Sequence, residues 1–207
     1  MIIIALVSPT GGAGRTSLAI AAASHLCMLG RKVTLVQTDP GNNIEFQLGY
    51  TANSAQGLAQ LILQTTTLDH VLKTTEAGYK LLPFGEVDIA RQVEIDQVLT
   101  AKPERLVQVF QNALFEDDSV VIVDLPRWPA LWCQQIMALS DLNLVTLVPD
   151  SSAILGIDAM LPHLLESRGA SYFLMNRFDS AKVLHLDLWT LCKMKLSHRL
   201  LPFYLHE

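Results

Sequence analysis

Gly11, Gly12 and Gly14 stand between an apolar run at 2–7 and an alanine-rich segment, and are followed by Arg15, Thr16 and Ser17. A strand-to-helix turn of this kind points successive backbone N–H groups at one spot. Glycine lets the backbone approach a phosphate and take positive φ, and the helix N-terminus adds roughly half a positive charge. Thr16 stands where a hydroxyl can ligate Mg²⁺. A tight turn that needs glycine is the competing reading, but three glycines followed by Thr-Ser exceed what a turn requires. Two carboxylates close apolar runs. Asp124 ends "SVVIVD" and can bind Mg²⁺ directly or through water, or cap a turn. Asp39 follows "KVTLVQ", where a helix or turn cap before Pro40-Gly41 is the plain reading. Asn176 ends "SYFLMN" and carries both a donor and an acceptor, the pattern that suits a base edge; an ordinary loop residue is the alternative.

The elements that must position these residues alternate. The runs at 2–7, 32–37, 79–84, 119–125, 142–148 and 171–176 are short and continuously apolar, as strands covered on both faces require. Helical spacing lies between them at 16–30, ending at the C-cap candidate Gly30, at 103–115, and at 154–167. In 103–115, Pro103 sits near the first turn and Leu106, Val109, Phe110, Ala113 and Leu114 form one apolar face. Strand, helix, strand repeated in this way predicts an α/β fold: a mostly parallel twisted sheet covered by helices on both faces, with ligands beyond the carboxyl ends of the strands. The stretches 51–78 and 85–102 read only as helical pieces and loops around the third strand.

Composition narrows the function classes. The 207 residues carry a net charge of -5 with no basic run, which disfavours nucleic acid as the main partner. Cys27, Cys133 and Cys192 lack CxxC spacing and read as buried thiols of a reducing compartment. The six histidines show no metal spacing, and His25 reads as core or partly buried. No apolar run reaches the length of a membrane span, and no basic leader precedes the first strand, which together predict a cytoplasmic protein. Trp128 and Trp132 follow Asp124; they are either buried under the sheet or, if exposed, a docking patch.

"SPTGGAGRTS" (8–17) resembles the deviant P-loop of the MinD/ParA family, K-G-G-x-G-K-T-[ST]. Thr10 stands at the signature lysine and Arg15 at the phosphate-cradling lysine. The resemblance implies a P-loop NTPase domain of the MinD/ParA (SIMIBI) type over 1–207, without the further C-terminal helix with which relatives continue. It implies ATP and Mg²⁺ as cofactors. Gly11, Gly12, Ala13, Gly14, Arg15, Thr16 and Ser17 would be nucleotide-binding, and Thr16, Asp39 and Asp124 would attend the metal. "LVQTDPGNN" is similar to the family's switch I, with Gln37 in place of its first aspartate, and Asp39 is thereby assigned the catalytic orientation of water. "SVVIVDLPR" is similar to Walker B with switch II. Asn176 would read the adenine edge, and Pro202, in "RLLPF", would flank the base.

"HLCMLGRKVTLV", "DLPRWPALW", "FLMNRFD" and "HRLLPFYLHE" resemble most the BcsQ branch of that family, the MinD-like proteins of bacterial cellulose synthesis operons. That resemblance implies a nucleotide-dependent switch needed for cellulose biosynthesis and secretion. It would act as a homodimer, or as a heterodimer with a small cellulose-operon partner, and dock from the cytoplasm on the inner-membrane cellulose synthase complex. The lost lysines make hydrolysis weak or absent, since phosphoryl transfer depends on cations around the developing charge. Two other functions stay open: a scaffold with a vestigial pocket, and a ParA-like partitioning ATPase, against which the acidic balance counts.

Overall fold

The computed structural model describes residues 1–41, 43–112 and 118–206. It is an α/β fold with a mostly parallel eight-stranded sheet. The chain divides into two compact units, Met1–Ile3 with Thr16–Leu125 and Ile4–Arg15 with Pro126–Glu207.

Strand β1 (Ile2–Val7) runs from the first unit into the second. In the first unit follow α1 (Arg15–Met28), β2 (Lys32–Gln37), α2 (Asn43–Gln47), α3 (Leu58–Ile62), α4 (Leu68–Val71), β3 (Lys73–Thr74), β4 (Lys80–Leu82), α5 (Ile89–Ala101), α6 (Glu104–Asn112) and β5 (Ser119–Asp124). Its strands are ordered β3-β4-β2-β5. Only the short β3–β4 pair is antiparallel. β5 is buried along its whole length and β2 at every position but Lys32. Continuous apolarity here does mark strands with no wet face. Gly30 ends α1 as expected, at φ +79, with its N–H donating to Cys27 O (2.9 Å) and that of Arg31 to Leu26 O (3.0 Å). The expected apolar face of α6 holds for Leu106 and Phe110, which are buried, and Val109, half-buried; Ala113, Leu114 and the last turn predicted there lie outside the described residues. The run at 79–84 is strand only over β4. His25, expected to be at least partly buried, is exposed, because α1 turns Ala19 and Ala23 inward instead.

The second unit holds α7 (Leu131–Leu139), β6 (Leu142–Leu147), α8 (Ser151–Glu166), β7 (Ala170–Phe178), α9 (Val183–Leu196) and β8 (Leu200–His206). Its strands are ordered β1-β6-β7-β8, all parallel. Asp150 caps α8, its carboxylate accepting the Ala153 N–H at 2.7 Å. Helix α8 continues through Pro162. Of the three thiols, Cys133 and Cys192 are buried, and burial pushes the Cys192 thiol up to about 11. No helix among the described residues is long and apolar enough to cross a membrane.

A buried charge ties α2 to β3 in the first unit. Glu45 is fully buried and accepts the Ser54 N–H (2.9 Å), the Ser54 hydroxyl (2.6 Å) and the Lys73 ammonium (2.8 Å). Lys73 also lies 5.0 Å from the Tyr50 ring centre. Burial alone would push the Glu45 carboxyl up, but the Lys73 and Ser54 donors outweigh it and hold the group below the usual 4.5. A carboxyl depressed in the folded state stabilises the fold above its unfolded value, and the contribution is lost as pH falls through the folded value. The Lys73 side chain is about a third exposed, so water screens part of the pair. Lys73→Ala is therefore expected to cost about 1–2 kcal/mol at pH 7, with the penalty shrinking as pH falls through the lowered folded value of Glu45. Urea unfolding at pH 7 and at a series of acid pH values checks this; a penalty that stays constant down to the acid limit of the folded state would contradict it.

Candidate functional site

The turn between β1 and α1 is built around two left-handed glycines, Gly12 (φ +72) and Gly14 (φ +79). A Cβ on Gly11 or Gly12 would meet no atom within 4 Å, so this side of the turn lies open. Its start is braced by a closed pair: the Ser8 hydroxyl donates to Thr10 O (2.8 Å) and accepts the Thr10 N–H (3.2 Å). Thr10 does not reach outward from the loop. Its Oγ1 is buried and has no hydrogen-bond partner among the described residues. Ala13 is buried, and Arg15, half-buried, opens α1.

In the first unit, the Thr16 hydroxyl donates to Asp124 Oδ2 at 2.7 Å. Asp124 is 1% exposed, and its carbonyl takes both the N–H (3.1 Å) and the hydroxyl (2.8 Å) of Thr38. This holds the segment after β2 against the end of β5. Gln37 pairs in register with Asp124, and its Nε2 donates to Asp39 O (3.2 Å). Its Oε1 is buried with no hydrogen-bond partner among the described residues. The Asp39 carboxylate accepts the Gly41 N–H at 2.9 Å, the turn-capping contact, while the side chain stays half-exposed. Asn42, within "LVQTDPGNN", lies outside the described residues. Ser17 is exposed and contacts Gln47 at 3.4 Å.

Each unit holds groups of a kind that suits a polyphosphate with a divalent cation. In the second unit the loop has an open side at Gly11 and Gly12. In the first unit Thr16 and Asp124 put a hydroxyl and a carboxylate at one corner, and the orphaned Gln37 Oε1 is an acceptor beside them. No three His, Cys, Asp or Glu among the described residues converge as a metal set. A cation at Thr16 and Asp124 would therefore complete its shell with phosphate oxygens and water, as Mg²⁺ does.

The second unit places Asn176 near the end of β7, against the loop. Its Nδ2 donates to Ala13 O (2.8 Å) and its Oδ1 accepts the Arg177 N–H (2.9 Å). Pro202 is exposed on β8, in the stretch where the pairing with β7 shifts register. The docking-patch alternative for the tryptophans is overturned: Trp128 is 5% and Trp132 6% exposed. Trp132 lies on the inward face of α7 with Cys133, Ile136 and Met137. The Trp128 ring lies 4.9 Å from that of His163, and its backbone N–H donates to Ser8 O at 3.0 Å, so Trp128 braces the loop. Two supports escaped sequence reasoning. One is Ser8. The other is Gly156 in α8, where a Cβ would collide with Pro9 of the loop. The second left a signal, because a glycine inside a helix costs about 1 kcal/mol and needs a packing reason.

A sequence model of the family described as cellulose biosynthesis protein BcsQ matches residues 1–207. The BcsQ of Escherichia coli K12 is 25% identical over 210 residues, covering 100% of this chain and 80% of that protein. Among solved structures, the ATP complex of a McdA variant from Cyanothece superposes with a TM-score of 0.82 at 17% identity, over 99% of this chain and 82% of the other. The cobyrinic acid a,c-diamide synthase of Mycobacterium smegmatis, with bound ADP and magnesium, gives 0.78 at 20% identity, over 95% and 83%. At these identities the structures establish the fold, that of the MinD/ParA-type P-loop proteins.

Asp124→Asn keeps an acceptor for Thr16 but removes the charge. It is expected to weaken Mg²⁺-dependent nucleotide affinity at least about tenfold. Titrating Mg²⁺ at fixed nucleotide reads this out, and an unchanged Mg²⁺ dependence would remove Asp124 from the metal corner.

Proposed function

Because the chain belongs to the BcsQ family of cellulose biosynthesis proteins, we propose that it is an ATP- and Mg²⁺-binding accessory switch for bacterial cellulose biosynthesis and secretion, with weak or absent ATP hydrolysis. The observation that carries this reading is the 2.7 Å contact between Thr16 and Asp124 in the first unit; the loop that precedes Thr16 in sequence has an open glycine side. ATP, when bound, supplies a polyphosphate whose charge the site must balance. The loop residues Gly11 to Ser17 would donate N–H groups to it, Arg15 would add a cation, and Thr16 and Asp124 would hold the metal. Gln37 replaces a carboxylate by a neutral amide and so lowers the negative charge at that corner. Asp39, beside it in sequence, is the group that would orient water, while Asn176 and Pro202 stand on the strands that would flank the base.

Weak turnover follows from what is missing. Thr10 tucks its hydroxyl into the loop where a long cation would otherwise extend, and a missing cation of that kind costs about 10³–10⁵ in rate by analogy with an arginine finger. Arg15 keeps charge in a planar, bulkier form. In this reading the protein dimerises with itself or with a small operon partner. It is cytoplasmic and docks peripherally on the inner-membrane cellulose synthase complex, with ATP occupancy as the switch.

The test is cellulose output from cells whose own copy is replaced by Thr16→Ala. The switch reading expects output to fall severalfold with protein levels unchanged. Full output with normal partner binding would mean that the chain serves as a scaffold with a vestigial pocket.

A further inference from the structure

A phosphate loop works only while its N–H groups point toward one place, and their directions are fixed by the peptide planes. In a planar trans peptide the C=O and the following N–H point in opposite directions. Whatever holds the Ala13 carbonyl therefore also aims the Gly14 N–H. In the second unit that holder is Asn176, whose Nδ2 donates to Ala13 O at 2.8 Å. The carboxamide cannot turn over without loss. Its Oδ1 accepts the Arg177 N–H at 2.9 Å, and a flip would set oxygen against carbonyl and NH₂ against N–H. Arg177 itself sits in the left-handed region, at φ +56. The approach is so close that a Cβ on Gly14 would collide with Asn176 Nδ2. Gly14 is thus required by its φ of +79 and, separately, by this contact. Ala13 is 2% exposed, so its carbonyl has little access to water if Asn176 lets go.

Resting on the nucleotide-binding reading above, we infer that Asn176 is a positioning residue of the phosphate loop: by holding the Ala13 carbonyl it aims the Gly14 N–H at the phosphates. Its contribution to binding is therefore made through the loop and does not depend on a base. This separates it from a base reader, whose loss would be felt only by ligands that carry the base.

The experiment is calorimetric titration of Mg-ATP and of Mg-tripolyphosphate, which has no base, into the wild-type chain, Asn176→Ala and the isosteric Asn176→Asp. Thermal unfolding of each variant checks the fold. Positioning predicts that both variants lose roughly tenfold or more in affinity for both ligands, by the same factor within about threefold, with Asn176→Asp at least as impaired as Asn176→Ala because its carboxylate faces a carbonyl. A loss confined to ATP, or no loss, in folded variants would overturn the inference and leave the nucleotide-binding reading standing. A wild-type chain that binds neither ligand would sink that reading, and the inference with it.

Discussion

An anion can be bound by main chain alone only where several consecutive peptides turn their N–H groups the same way, and L-residues resist that geometry. Here the conflict is settled at two positions, Gly12 and Gly14, both with positive φ. Everything near the turn serves to keep it so. β1 anchors it by parallel pairing with β6. The Ser8–Thr10 pair and the Trp128 N–H fix its entry, Pro9 presses on Gly156 of α8, and Asn176 holds its middle. Much of this bracing is polar and buried, which makes it directional and costly to break.

The chemistry that the turn can serve is set by charge. Asp124 is nearly fully buried at the end of β5, where a metal cation would balance it. In the first unit its carboxylate accepts from Thr16, its carbonyl accepts from Thr38, and Gln37 pairs with it in register. At the two loop positions where the MinD/ParA pattern has lysine, this chain has a hydroxyl and a guanidinium. In the proposed switch reading, these groups hold a triphosphate and stabilise poorly the charge that develops as one is cleaved. A switch that reads occupancy needs only the first of these.

The sheet was legible because strands buried on both faces write themselves as unbroken apolar runs, as at β2 and β5. Helices α7 and α9 were not. α9 exposes Leu184, Leu186, Leu191 and Met194 while burying Leu188, Cys192 and Leu196, so it shows no single apolar stripe to count. α5 buries only Ile95 and Leu99 and lies in a stretch that reads only as helical pieces and loops. In the site, the glycines, Thr16 and Asp124 announced themselves by type and spacing. The carbonyl that Asn176 meets could not be read, since nothing local to residue 176 encodes a partner 163 positions away. The tryptophans carried the opposite ambiguity: their type suits a docking surface as well as a core, and only packing against α8 and within α7 decided it.

The most direct test of the central claim, that a loop without lysine still holds a nucleotide, is calorimetric titration of ATP and ADP with Mg²⁺ into the purified chain, with molecular mass followed by light scattering. The account predicts saturable, Mg²⁺-dependent ATP binding that is accompanied by dimerisation and is weaker or uncoupled with ADP. A well-folded chain that takes up no nucleotide would contradict it and leave "SPTGGAGRTS" as a turn that has kept its shape without its ligand.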